Sequence, residues 1–251
     1  MTKIIGVLNF KGGTGKTTTV VNLAAGLALR GERVLCIDLD AQGSMAMCLG
    51  VHHSHTLAHL LLGEAEPSAC IIQARENLDL IISDSNLLQA EGELWRMGDN
   101  GKARKVLTER MGSVDGYDYI ILDHSPSASL VNENGLLYAR QIIVPVSMNY
   151  LALIGTRQVL QTLKTVGKIS NHNSELFLIL PTFYYAWLRK DREVIEILHR
   201  HFSRKVADPI RINVKLSEAM GCQRSIYEYA PRSTGAADYA CLVERVVSNG
   251  K

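Results

Sequence analysis

The chain has no paired cysteines, no long uninterrupted apolar run and no surplus of one charge, and each absence removes a class of protein. Its five cysteines, Cys36, Cys48, Cys70, Cys222 and Cys241, are odd in number and never spaced as CxxC. That argues against a disulfide framework, a structural zinc site or a cysteine-held iron–sulfur cluster, and for reduced thiols in a cytoplasmic setting. The opening apolar run ends at Phe10 and is too short for a signal peptide or a membrane span. Lysine and arginine number 27 against 25 acidic residues, a formal net charge of +2. Bulk charge therefore announces no nucleic acid, and any basic surface has to come from local clustering.

What is present describes a globular protein. Of the 251 residues 47% are hydrophobic and 21% charged, enough apolar surface for a large core. No repeat, low-complexity tract or linker divides the chain, so one domain spanning residues 1–251 is expected. Apolar runs alternate with amphipathic stretches, the pattern of βα units and a mostly parallel sheet. Strands are expected at Ile4–Asn9, Arg33–Leu39, Leu78–Ser83, Tyr119–Asp123, Gln141–Val146 and Glu175–Pro181, with a weaker one at Lys205–Ile210. Apolar spacings of three and four predict helices at Lys16–Leu29, Tyr150–Val166, Arg189–Phe202 and Ala236–Val247. Between Val51 and Gly116 the pattern is least readable, with helices expected around His55–Leu62 and Ser85–Met111.

The first motif, KGGTGKTT from Lys11 to Thr18, follows a strand and opens a helix. Gly12, Gly13 and Gly15 let the backbone curl so that successive N–H groups, those of Thr14 to Thr18 included, face one anion, and the helix N-terminus adds its dipole. Lys16 is then placed to reach the β- and γ-phosphates of ATP, and the Thr17 hydroxyl to ligate Mg²⁺. Downstream, CIDLDAQGS leaves Asp38 and Asp40 at the carboxyl end of a strand, the edge where open parallel sheets bind ligands. A lone pair of this kind is more often a turn or helix cap, and its position one βα unit after the loop favours function. DYIILDHSPS ends a buried strand in Asp123, placed as a carboxylate that accepts from Mg²⁺-bound water. His124 is expected to face solvent rather than to sense the terminal phosphate.

With Lys11 added ahead of the loop, the sequence resembles the ParA/MinD family of deviant Walker A ATPases, over nearly the whole chain. The resemblance implies a doubly wound, mostly parallel α/β P-loop domain flanked by helices, with ATP and Mg²⁺ as cofactors. In the family the extra lysine, here Lys11, reaches across a sandwich homodimer to the partner's phosphates. Asp40 inherits the positioning of the attacking water and Asp38 a place in the metal's water shell. Lys11, Lys16 and Asp40 are thus the expected catalytic residues. Ala41 stands where the family has proline. IRINVKLSEAMGCQRSIYEYAPRSTGAADY is similar to the ParA branch, which points to Thr182, Arg211 and Asn213 around the adenine, although Arg211 replaces a usual proline.

The branch implies nonspecific binding of double-stranded DNA, a nucleoid-associated place in the cytoplasm, and a ParB-like or cargo-adaptor protein that stimulates slow hydrolysis. Basic residues crowd the last third, with Arg189, Arg200, Arg204, Lys215 and Arg224 the expected DNA contacts, each of which taken singly is more often a solvated helix face. The closing stretch LVERVVSNGK lacks a basic amphipathic anchor, which argues against a membrane-surface ATPase of the MinD type. The absence of a helix-turn-helix ahead of the loop argues against operator repression. A nucleotide-dependent switch without hydrolysis is the other rival. His52, His53, His55 and His59 invite a metal reading, but no local carboxylate or cysteine accompanies them, and a surface cluster is expected.

Overall fold

The parallel strands are built from continuous Val, Ile and Leu runs, which survive only where helices cover both faces of a sheet. In the computed structural model, which describes residues 2–98, 101–170 and 174–248, seven strands form one sheet in the order β3-β4-β2-β5-β1-β6-β7. They are β1 Lys3–Val7, β2 Val34–Leu39, β3 Ile71–Arg75, β4 Leu78–Ile81, β5 Tyr119–His124, β6 Gln141–Ser147 and β7 Glu175–Thr182. Every pairing is parallel except β3 with β4, an antiparallel hairpin at one edge.

The helices are α1 Lys16–Ala28, α2 Ser44–Leu49, α3 Leu57–Leu62, α4 Pro67–Cys70, α5 Asn86–Arg96, α6 Val106–Arg110, α7 Leu130–Tyr138, α8 Tyr150–Ser170, α9 Arg189–Phe202, α10 Val214–Gly221, α11 Ile226–Tyr229 and α12 Thr234–Ser248. Two cores result. On one face α1, α2 and α10 to α12 bury Val20, Leu23, Ala219, Ile226 and Tyr239 against the sheet. On the other, α3, α5 to α7 and α9 bury Leu60, Leu94, Leu107, Leu136 and Leu198. With every strand of the sheet apart from β3 pointing its carboxyl end the same way, loops at 8–15, 40–43, 125–129 and 183–188 meet at one rim.

Three expectations change. Residues 205–210 form no strand: Val206 makes only an isolated parallel bridge to Ile179, and the stretch lies along the outer edge of β7. The span Ser85–Met111 is two helices, because Gly98 and Gly101 both take positive φ and unwind the chain between α5 and α6. His124 does not face solvent. It is 1% exposed and ends β5 with its ring against Gly6 of β1 and Gly135 of α7, where burial pushes its imidazole down to about 4 and keeps it neutral.

Candidate nucleotide site

The loop between β1 and α1 is held from below by Asn9, a fully buried side chain that the sequence reading passed over. Its Oδ1 accepts the Lys11 N–H at 3.0 Å and its Nδ2 donates to the Pro145 carbonyl at 2.7 Å, tying the loop to β6. A buried polar residue closing an apolar strand just before a glycine loop was the available signal. Gly13 and Gly15 have φ of 68° and 85°, a left-handed conformation that a side chain resists. A Cβ at Gly12 or Gly13 would meet no protein atom within 4 Å, so the loop backbone there lies open to an approaching anion.

Thr14 is buried, and its carbonyl accepts from Thr182 Oγ1 at 2.9 Å, so the end of β7 braces the loop. Lys16 starts α1, is 8% exposed and points its Nζ back to the Lys11 carbonyl at 3.3 Å. Burial lowers its pKa, while Asp123 and Asp40 oppose that by favouring the charged form. Lys11 Nζ donates to Asn149 Oδ1 at 3.1 Å within the same chain.

The three aspartates have separate roles. Asp38, fully buried, spends Oδ1 on the Asp40 N–H at 3.0 Å and Oδ2 on the Met45 N–H at 3.2 Å, so it shapes the turn that carries Asp40. In the same turn Gly43 takes a φ of 61°, with the Ser83 carbonyl 2.6 Å from where a Cβ would stand, so a side chain there would be both strained and crowded. Asp40 is half-exposed at the rim, its Oδ1 accepting the Gln42 N–H. Asp123 is the unpaired one. It is 1% exposed, and neither carboxylate oxygen has a hydrogen-bond partner among the described residues. Burial pushes its pKa up to about 7, with the Thr17 hydroxyl and the Lys16 ammonium pulling it back and Asp40 adding to the rise. Burial and the neighbouring Asp123 likewise raise Asp38 well above the usual carboxylate range. Two orphaned buried oxygens beside Thr17 fit a hydrated divalent cation, whose charge would settle both.

Beside the loop lies a cavity of about 330 Å³ lined by Gly15, Thr18, Thr182, Phe183, Arg211 and Asn213, among others. Its size and apolar walls suit a purine ring. All three residues expected at the adenine border it, and each is already engaged, Thr182 with the Thr14 carbonyl. Arg211 pairs with Asp238 through Nη2 at 2.5 Å, and Asn213 caps α10 through the Lys215 N–H while donating to Thr234 Oγ1 at 2.8 Å. Leu216, Met220 and Tyr239 complete the wall and come from helices that strand-end motifs do not reveal.

The basic residues of the last third do not gather in one patch. α9, bearing Arg189 and Arg200, packs on one face of the sheet, while α10 and α11, flanking Arg224, pack on the other. Arg189 pairs with Glu193 and Lys215 with Glu218. Arg200, Arg204 and Arg224 form no ion pair among the described residues. Arg204 joins Lys205 and Arg245 around a polar cavity of about 490 Å³ at the first residues of β6 and β7, away from the loop. His53, His55 and His59 meet edge to face, His55 lying 5.5 Å from His59, and no three-residue metal cluster occurs among the described residues.

Comparison with known proteins follows the same lines. Residues 2–176 match the family model described as AAA domain. The chain is 38% identical over 245 residues to the chromosome-partitioning ATPase Soj of Thermus thermophilus, covering 97% of this chain and 95% of that one. Among solved structures, apo McdA of Cyanothece superposes with a TM-score of 0.88 at 20% identity, covering 98% of this chain and all of that one. A cobyrinic acid a,c-diamide synthase from Mycobacterium smegmatis, with bound ATP analog and magnesium, gives 0.84 at 30% identity and covers 100% of this chain and 98% of that one.

Proposed function

We propose, because this chain belongs to the AAA-domain family and to the ParA/MinD-type ATPases typified by Soj, that it is a partitioning ATPase which hydrolyses ATP between two copies of itself. The observation that carries the reading is the union of a glycine-built anion cradle, a buried Lys16 and a buried Asp123 with no partner. The phosphates lie against the N–H groups from Gly12 to Thr18 and the base in the adjoining cavity. Thr17 and Asp123 would hold Mg²⁺, which supplies neutralisation of phosphate charge when bound. Asp40, carried on the turn that Asp38 shapes, orients the attacking water. Lys11 leaves Asn149 to meet the phosphates of the opposite copy.

In this reading the ATP-bound dimer associates with DNA without sequence preference, is nucleoid-associated, and is discharged by a ParB-like or cargo-adaptor protein. The unpaired Arg200, Arg204 and Arg224, joined by Lys205 and Arg245, supply phosphate contacts. Because they lie on both faces of the sheet, the DNA surface is composite, and dimerisation doubles it. The membrane alternative is disfavoured by α12, whose apolar side (Ala236, Tyr239, Leu242, Val243 and Val246) is buried in the core rather than free to insert. Residues 249–251 of the closing stretch lie outside the described residues, and no described helix is long and apolar enough to cross a membrane. A mobility shift on random duplex with ATP, ADP or no nucleotide tests the proposal. Binding is expected with ATP alone and should weaken steeply with salt, and equal binding in all three states would overturn it.

A further inference from the structure

Neither oxygen of the Asp123 carboxylate makes a hydrogen bond among the described residues, although the Thr17 hydroxyl stands close enough to act on its charge, so the backbone on either side largely sets its aim. Upstream the chain is fixed by β5, where Asp123 is in register with Val7 of β1 and Asp38 of β2. Downstream the strand ends at His124, and residues 125–129 form a turn at the rim. Among the described residues that turn is tied by a Ser125 Oγ–Ser127 Oγ contact at 2.8 Å and, chiefly, by one side chain from α7. Asn132, 2% exposed, donates through Nδ2 to the Ser125 carbonyl at 2.9 Å, to Ser125 Oγ at 3.0 Å and to the Ser127 carbonyl. Its Oδ1 accepts the Ser125 N–H at 3.2 Å and lies 3.1 Å from His124 Nδ1.

The two carbonyls can only accept, which fixes the orientation of the Asn132 amide, and the oxygen at its other end must then take a proton from His124 Nδ1. The imidazole in turn cannot swing away. A Cβ at Gly6 would fall 2.9 Å from its Nε2, and one at Gly135 would fall 2.7 Å from its Cε1, so two glycines clear a slot of its own thickness. Asn132 is itself seated by Ser129, whose Oγ accepts its backbone N–H at 3.1 Å at the cap of α7. The polar capacity of one buried amide is thus spent on the residues that follow Asp123.

We infer that Asn132 is a positioning residue for ATP hydrolysis: through His124, Ser125 and Ser127 it fixes the exit of β5 and hence the aim of the Asp123 carboxylate. The inference rests on the proposed role of Asp123 at the metal's water shell. Displacement of a reacting group by about 1 Å can cost on the order of 100-fold in rate. Asn132 touches neither the phosphate cradle nor the base cavity, so its loss should act on turnover and spare binding.

The test uses the full chain, with Mg²⁺-dependent phosphate release and the affinity for a fluorescent ATP analogue measured on the same preparations. Asn132→Leu should lower turnover about tenfold or more while ATP affinity moves less than about threefold, a split that general loss of structure does not give. Asn132→Asp keeps the acceptor for Ser125 and His124 but sets a carboxylate oxygen against the Ser125 and Ser127 carbonyls, so its turnover should also fall below wild type. If Asn132→Leu does not fold, Asn132→Asp and Ser129→Ala carry the test, both with lower turnover at unchanged affinity. Wild-type turnover in the folded variants, or turnover and affinity falling together with the melting midpoint, would overturn the inference. Asp123→Asn serves as control. If it hydrolyses ATP normally, the role given to Asp123 fails and the inference falls with it; if it is inactive while the Asn132 variants are normal, the inference alone fails.

Discussion

The two ends of the nucleotide site are built on opposite plans. At the phosphate end charged groups are buried, Lys16 at 8% exposure and Asp123 at 1%, and neither Asp123 oxygen is hydrogen-bonded among the described residues. At the base end the polar groups come from residues 182–238 and are already satisfied, Thr182 by the Thr14 carbonyl, Arg211 by Asp238 and Asn213 by Thr234. A site that leaves charge unpaired at one end and none at the other concentrates its ligand dependence where the charge is. Binding free energy should therefore fall mostly on the phosphates, with the base held by shape.

Lys16→Ala should break the comparison most severely. Removing the buried ammonium deletes the cationic partner of the phosphates and leaves Asp123 and Asp40 to repel them, so ATP affinity should drop on the order of 100-fold or more. Isothermal titration measures it, and an affinity near wild type would mean the phosphates lie elsewhere. Next in size is Asp40→Ala. It leaves the cradle intact, so ATP binding should persist while turnover falls on the order of 100-fold and the ATP-bound dimer accumulates. Lys11→Ala should do the reverse at the same end: ATP bound, no dimer in light scattering. A persisting ATP-dependent dimer would remove the role across the interface.

The same contrast explains what could be read from the amino-acid order. The loop from Lys11 to Thr18 and the strands ending at Asp38 and Asp123 are local patterns, each short enough for spacing to dictate its geometry. Asn9 and Asn132 escaped notice because their importance comes from partners distant in space or in turn geometry, Pro145 for one and the 124–127 segment for the other. His124 was misjudged for a related reason. Its slot exists only because Gly6 and Gly135, on different elements, meet across β5. The basic residues looked like one cluster because sequence distance does not reveal that α9 and α10 cover opposite faces of the sheet. The hairpin strand β3 and helices α2, α7 and α10 are short or lack clean amphipathic spacing, and their boundaries are fixed by packing.

Asp123→Asn should sharpen the comparison through stability rather than activity. A carboxyl whose folded pKa, about 7, exceeds its ordinary value of 3.8 favours the fold below 3.8, and that advantage is lost as pH rises through about 7. The ligand-free protein should therefore lose stability across that window, with Asp38 acting in the same direction. Asparagine cannot ionise, so the variant should melt several degrees higher than wild type above pH 7 and nearly alike well below it. Melting curves across pH with EDTA present measure the difference. Equal midpoints at all pH values would mean that Asp123 is neutralised by something else in the free protein.

Arg211→Ala is expected to have the smallest effect on the ligand. The guanidinium borders the cavity but is turned to Asp238, with Nε at 3.1 Å from both carboxylate oxygens and Nη2 at 2.5 Å from one, and the Arg211 N–H adds a third donor at 2.9 Å. Its side chain is 45% exposed against 9% for Asp238, so the guanidinium sits at the rim while the carboxylate is largely covered. Alanine keeps the backbone N–H on Asp238 and keeps the walls formed by Leu216, Met220 and Tyr239, so the shape that receives the base persists. ATP affinity should change less than about threefold, a few tenths of the loss per interaction expected for a charged group that contacts ligand directly. Asn213→Ala makes the matching control at the same rim, because losing the α10 cap should cost about 1 kcal/mol of stability with little change in affinity. A tenfold or larger loss of ATP affinity in Arg211→Ala would show that the arginine leaves Asp238 for the bound nucleotide, and the base end would then depend on charge as the phosphate end does.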